Sequence, residues 1–306
     1  MGKRYKEQHN ININGAEVTI TSPDKPVWPE KGLVKLQYLQ YLSTFAPYIL
    51  PFLSDRTLTL IRYPHGIDGE RFYQKNCPDY APDFVKTFKE DSIEYVVCSN
   101  LETLLWLGNQ LALELHIPFR KVSSRFPSEI VMDLDPPSRK EFHLAAEAGL
   151  IIKEVCDSLG LITFIKTSGN KGMQVYVPLP DNRFTFDDTR IFTCFLATYL
   201  VTKEPRFFTT ERLKKNRGSK CYIDFIQHAE GKTIIAPYSA RGNKEALVAA
   251  PLFWNEVSPS LNPEDFSVDS MEERLNKLGD PFKEYFITKD KQPFERVLTA
   301  LKENSS

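Results

Sequence analysis

No stretch of the 306-residue sequence approaches the ~20 consecutive apolar residues a membrane span needs. The polar start, MGKRYKEQHN, also lacks the apolar core of a secretory signal. A soluble cytoplasmic chain is the expectation. Paired cysteines are missing too: Cys77, Cys98, Cys156, Cys194 and Cys221 stand singly, without the short spacing of a zinc site or redox motif, and read as reduced structural thiols. Nor is there an excess of one charge. Lys plus Arg number 39 against 40 for Asp plus Glu, so overall charge gives no sign of a nucleic-acid partner, and only local patches could carry that role. Internal repeats and low-complexity segments are absent. At 42% hydrophobic, the chain is long enough to bury the core of one large domain or two modest ones.

Residues 1–15 are polar and read as a flexible arm, followed by a single domain over 16–306. Element order suggests an N-terminal lobe over about 16–120 and a C-terminal lobe over about 121–306. EVTIT alternates like a strand, SPDKPVWPEKG is a loop, and LVKLQYLQYLSTFAPYILPFL spaces its apolar residues as a helix does. RTLTLIRYP and RFYQKN read as strands, ETLLWLGNQLALELH as a helix, and SEIVMDLD as a strand. A helix stopped by Gly160 follows, then TFIKTSG and MQVYVPL paired around a glycine turn, a helix from TFDDTR to VTKE, and the strands KCYIDFIQ and TIIAPYSAR. Strands adjacent in sequence recur, which argues an α+β fold of mainly antiparallel central sheets flanked by helices.

The apolar strand IVMDLD finishes on Asp133 and Asp135, two apart and therefore on one face. Like charges held side by side require a compensating cation or a solvated turn. A third acid, Asp224, interrupts the apolar strand CYIDFIQ, where a lone carboxylate is expensive to bury. Three carboxylates on neighbouring strands would make a hard-oxygen site suited to Mg²⁺ or Mn²⁺. In KTSGNKGMQVYVPL, Ser168, Gly169 and Gly172 bracket Lys171 in a turn that offers N–H groups and a cation to phosphate oxygens, though a plain hairpin turn reads equally well. It is not a Walker loop, whose spacing is absent. ERLKKNRGSK places five cations just before the Asp224 strand, either a solvated face or a counterpart to a triphosphate.

Together these segments, with RYPHGIDGERFYQKN, LALELHIP, HAEGKTIIAPYSAR and APLFWNEV in the same order, resemble the polymerase module of bacterial ligase D, in the archaeo-eukaryotic primase superfamily. That resemblance implies an archaeo-eukaryotic primase-like fold and a template-directed nucleotidyltransferase. It would add nucleotides, preferably ribonucleotides, to primer 3′ ends at gaps or double-strand breaks in non-homologous end joining. It further implies that Asp133, Asp135 and Asp224 bind two Mn²⁺ or Mg²⁺ ions. Arg62, His116, Ser168, Lys171, Gln174, Arg217, Gln227 and Arg241 would then bind the nucleoside triphosphate, Ser22, Lys25 and Lys35 a DNA 5′-phosphate, and Phe72 and Tyr73 would stack on template. Implied partners are DNA with gaps or broken ends bearing a 5′-phosphate, NTP or dNTP, Ku and a DNA ligase, for a nucleoid-associated monomer with no membrane contact. A primase that starts chains unaided and a silent end-binding module that recruits ligase or Ku are the alternatives.

Two positions depart from the family pattern. Gln174 stands where relatives commonly carry His, and it cannot hold a proton charge. Asn243 replaces a frequent second Arg. The KxDG lysine motif of a DNA ligase is absent, and the chain has no room for a second catalytic domain, so sealing is expected to come from elsewhere.

Overall fold

A computed structural model describes residues 8–304 of the chain, which divides into two compact units. The first comprises residues 8–117 with Ile235–Val248 and Phe266–Lys277; the second comprises Pro118–Ile234, Ala249–Asp265 and residues 278–304. The expected cut near residue 120 therefore lies close to the first crossing, but two later segments return to the first unit. A boundary drawn from element order alone does not show such a return.

The first unit begins with a hairpin, β1 (Gln8–Ile13) and β2 (Ala16–Thr21). This corrects the expected arm: residues 8–13 form a strand in full register with β2, and residues 1–7 lie outside the described residues. A short pair, β3 (Pro26–Trp28) and β4 (Leu33–Val34), leads into α1 (Lys35–Leu53), which buries Tyr38, Leu42, Phe45, Ile49 and Leu53 at helical intervals. Then come β5 (Thr59–Arg62), β6 (Phe72–Gln74), the hairpin β7 (Lys86–Glu90) and β8 (Ile93–Val97), and α2 (Leu101–Asn109), capped by Asn100.

The helix expected across 102–116 stops at Asn109. Leu111 takes a left-handed φ of 55° and the chain turns into β9 (Ala112–Pro118), antiparallel to β5. ALELH is thus a strand whose period of two outweighs the helical run before it. Leu113, Leu115 and Ile117 share one face, Glu114 and His116 the other.

The second unit is built on a six-stranded sheet containing β10 (Glu129–Asp135), β11 (Phe164–Thr167), β12 (Met173–Pro178), β13 (Phe208–Thr209) and β14 (Cys221–Asp224). After β15 (Thr233–Ile235), through which the chain returns to the first unit, β16 (Pro251–Leu252) completes it in the order β13-β14-β10-β12-β11-β16. All its pairings are antiparallel except β13 with β14. Two helices, α3 (Phe142–Ser158) and α4 (Phe186–Lys203), pack on the sheet; α5 (Met271–Leu278) lies almost wholly in the first unit, and α6 (Phe294–Glu303) packs on α4. The α+β architecture with mainly antiparallel sheets is the one expected. Among the described residues no helix is long and apolar enough to cross a membrane.

Candidate active site

The sheet of the second unit brings the three sequence-distant acids together. Asp133 on β10 lies directly opposite Asp224 on β14, a pairing that sets Cα atoms roughly 5 Å apart. Asp135 follows on the same face, opposite Tyr222. Each carboxylate is held by protein donors. Gln174 Nε2 donates to Asp133 Oδ1 at 3.0 Å. Asp224 Oδ1 accepts from the Tyr222 hydroxyl at 3.1 Å and the Gln227 N–H at 3.0 Å. Burial, reinforced by the neighbouring Asp135 and Asp224 and opposed by the Gln174 hydrogen bond, pushes the Asp133 carboxyl up to about 6. Burial raises Asp224 as well, with Asp135 adding to the rise and Tyr222, Gln227 and Arg217 opposing it. An oxygen-only set under such strain fits a hard divalent cation. Among the described residues no three of His, Cys, Asp and Glu are already grouped to hold an ion.

Asp135 carries the cations. Lys171 Nζ pairs with its Oδ1 at 2.9 Å and Arg217 with its Oδ2 at 3.4 Å. The Arg217 guanidinium lies 3.7 Å over the Tyr222 ring and donates to the carbonyls of Glu211 and Arg212, which fixes it against β14. Lys171 is anchored on the Pro136 carbonyl at 2.7 Å, in the turn the sequence marked. There Ser168 Oγ accepts the N–H groups of Gly172 and Asn170, and a Cβ at Gly172 would stand 2.3 Å from the Leu134 carbonyl oxygen, so the turn hugs β10 only because residue 172 is glycine. A cavity of about 170 Å³ lies here, bordered by Asp135, Lys171 and Arg217 and also by Lys214 and Lys220, two further cations of the ERLKKNRGSK run. A larger groove of about 860 Å³ along α4 is mainly apolar and contains none of the three acids, so chemistry rather than size selects the site. Gln227 caps Asp224 through its backbone and donates its side chain to the Thr233 carbonyl at 2.8 Å.

Arg62, His116 and Arg241 belong to the first unit, where the structure adds a residue that sequence reading missed. Glu114, buried on β9 two residues before His116, gathers four donors. Its Oε2 meets Arg241 at 2.9 Å and His116 Nε2 at 3.3 Å, while its Oε1 accepts the Tyr63 hydroxyl at 2.9 Å and the Gly242 N–H at 3.2 Å. Burial alone would raise this carboxyl, but His116, Arg241 and Tyr63 together pull it down to about 2. Residue 242 must be glycine, since a Cβ there would fall 2.0 Å from the Tyr63 ring. The alternation in ALELH was the available signal.

Arg62 donates to the carbonyl and side chain of Gln110, to Gln74 and to Tyr80, and its guanidinium lies 5.2 Å from the Phe72 ring centroid. Phe72 and Tyr73 are 43% and 69% exposed on β6, which rules out core packing for both. The residues expected at a 5′-phosphate divide. Ser22 takes a left-handed φ of 49° and Lys25, half-buried, donates to the Pro64 carbonyl. Lys35 is only 4% exposed and points inward, to the Thr21 carbonyl and hydroxyl and to Asn109 Oδ1. The first N–H groups of α1 are likewise used, by the carbonyls of Lys25 and Pro23. In this structure Lys35 is a buried strut between the end of β2 and the end of α2.

The model of the LigD primase-polymerase domain matches residues 34–282, and the chain belongs to that family. It is 49% identical over 289 residues to the bifunctional non-homologous end joining protein LigD of Bacillus subtilis, an alignment covering 94% of this chain and 47% of that protein. It is 31% identical to the multifunctional LigD of Mycolicibacterium smegmatis, with 86% of this chain and 35% of the relative covered. The chain thus spans less than half the length of these relatives. Among solved structures, the polymerase domain of Mycobacterium tuberculosis ligase D in complex with DNA superposes with a TM-score of 0.80 at 29% identity, covering 87% of this chain and 96% of that one.

Proposed function

We propose that the chain is a DNA-directed nucleotidyltransferase that extends primer 3′ ends at gaps and double-strand breaks during end joining, with ribonucleotides preferred. The observation that carries this reading is the pairing of Asp133 with Asp224 across β10 and β14, with Asp135 one step along the same face. Asp133, Asp135 and Asp224 would hold Mn²⁺ or Mg²⁺, which when bound supplies charge neutralisation at the reacting phosphate and activation of the primer hydroxyl. The chain's own residues do the rest. Lys171 and Arg217, now paired with Asp135, would exchange that acid for phosphate oxygens of a triphosphate, because carboxylate and phosphate both offer anionic oxygens to the same N–H donors. Lys214 and Lys220 border the same cavity and add charge against the leaving pyrophosphate. The Ser168 turn offers backbone N–H groups to phosphate.

On the first unit, Glu114 holds His116 and Arg241 in fixed orientation for sugar and phosphate contact. The exposed Phe72 and Tyr73 offer ring faces to template bases, and Lys25 with Ser22 serves the 5′-phosphate of a downstream strand. A DNA ligase and Ku are the partners this reading adds.

The test is primer extension on a gapped duplex bearing a 5′-phosphate, with Mn²⁺ and labelled nucleotide. Wild type extends, and Asp135→Ala does not. Extension that survives the substitution would overturn the assignment. Parallel reactions with NTP and dNTP decide the sugar preference.

A further inference from the structure

Strand β6 is the edge of the sheet ordered β15-β9-β5-β6, and alternation along it sends its two exposed rings to opposite faces. Phe72 pairs with Arg62 on β5 and shares its face. Tyr73 pairs with Ile61, and Ile61 in turn with Glu114 on β9, so Tyr73 lies on the face that bears the Glu114 cluster. Each face has its own arginine. On the Phe72 face Arg62 is spent on the protein, with four hydrogen bonds to the carbonyl and side chain of Gln110, to Gln74 and to Tyr80. On the Tyr73 face Arg71 is not.

Arg71 stands immediately before β6, exposed, and rests Nη1 on the Tyr63 hydroxyl at 3.4 Å. Among the described residues it forms no ion pair. Tyr63 donates its own proton to Glu114 Oε1 at 2.9 Å, which leaves the hydroxyl oxygen to accept from Arg71. The carboxylate behind it is already matched by Arg241 and His116. The seat is rigid, because Tyr63 is 1% exposed and Gly242 backs its ring so closely that no Cβ would fit there. A permanent cation anchored at one donor, with the rest of its fork unused, suits an oxyanion that arrives from outside. Being held in place beforehand, it loses less freedom on binding.

We propose that Arg71 is a phosphate contact for the template strand, seated by Tyr63 so that its charge meets the backbone of the strand whose base stacks on Tyr73. The two residues are two apart on an extended segment, about 7 Å, so one strand can lay a base on the ring and a phosphate on the cation. Such a contact fixes the position of the strand without reading its sequence. The inference rests on the stacking reading of Tyr73 proposed above and adds a residue to it. An incoming triphosphate offers the same chemistry, and the experiment separates the two sources.

The experiment follows fluorescence anisotropy of the full chain on a gapped duplex from about 50 to 200 mM salt, with nucleotide KM in primer extension as the second readout. Each phosphate contact on a single strand contributes about 0.7 to the slope of log affinity against log salt. Arg71→Gln, which removes the charge and keeps an amide donor, should flatten the slope by about that much. Its affinity deficit should then be about two- to threefold larger at the low-salt end than at the high-salt end. Arg71→Lys should keep the wild-type slope, and Tyr73→Ala should weaken binding at every salt concentration without changing it. A wild-type slope in Arg71→Gln overturns the proposal, and if nucleotide KM rises in that variant Arg71 belongs to the triphosphate. Equal flattening in Arg71→Lys overturns it too, since the charge would then not be what matters. If Tyr73→Ala binds as wild type does, the stacking reading fails, and the slope of Arg71→Gln still decides whether Arg71 meets a phosphate of the strand.

Discussion

Glu114 and Arg241, far apart in sequence, form an ion pair of 2.9 Å beneath His116, with the Glu114 side chain 5% exposed. A carboxylate so placed is costly unless its donors stay, and all four of its donors belong to the same unit. Replacing it with Gln should free Arg241 and His116 to move. Nucleotide KM is expected to rise roughly tenfold, equivalent to about 1.4 kcal/mol, with a smaller change in kcat. Steady-state kinetics would show it, and an unchanged KM would remove Glu114 from the nucleotide site.

The same residue makes an acid-stability prediction. Its carboxyl lies near 4.5 when unfolded and is held down to about 2 in the fold. Because the folded value is the lower one, its contribution is present above about pH 4.5 and is lost as pH falls from there toward 2. That contribution is about 3 kcal/mol at most. Urea unfolding from pH 7 to pH 3 should show Glu114→Gln losing less stability on acidification than wild type. Parallel curves would contradict the assignment.

Gly172→Ala would drive a Cβ into the Leu134 carbonyl oxygen at 2.3 Å. The turn carrying Ser168 and Lys171 has to move away from β10, at a cost on the order of 2 kcal/mol. Thermal unfolding should register the loss, and nucleotide addition should fall with it. A variant with wild-type stability would mean that the turn is looser than its contacts indicate.

Much of this site was readable from residue order. Asp133, Asp135 and Asp224 stood out because each interrupts an apolar strand at a position where a carboxylate is expensive, and β-alternation predicts their shared face. Glu114 did not, because the helical run LETLLWLG continues visually into LALELH. The break is the positive φ of Leu111, a conformation that leucine gives no reason to expect. The inward turn of Lys35 was equally hidden, since it depends on Asn109, which is 74 residues away. Long-range burial of a polar group leaves no local trace.

Phe72 and Tyr73, exposed on β6, should matter to DNA and not to folding. Alanine at either position is expected to change stability by less than about 0.5 kcal/mol. It should weaken template binding by about 1–3 kcal/mol, the usual worth of a base stacked on an aromatic ring. Fluorescence anisotropy with gapped duplex measures the second effect and thermal unfolding the first. Lost stability with unchanged DNA affinity would reverse their roles.

Lys25 and Lys35 should separate in the same assay. Lys35→Met removes a buried donor from Thr21 and Asn109 and should cost about 1–3 kcal/mol of stability. Lys25→Ala should leave the fold intact and erase the preference for a gap bearing a 5′-phosphate. Loss of that preference in a fully stable Lys35→Met protein would show that Lys35 turns outward when DNA binds.

The most direct measurement is single-nucleotide incorporation on a gapped, 5′-phosphorylated duplex as Mn²⁺ is titrated, comparing wild type with Asp224→Asn. Wild type should incorporate with saturable dependence on the ion. Asp224→Asn should fall by on the order of 10³-fold, as expected when several kcal/mol of transition-state stabilisation are lost. Incorporation by Asp224→Asn at the wild-type rate would contradict the central claim that the acids paired across β10 and β14 carry the chemistry.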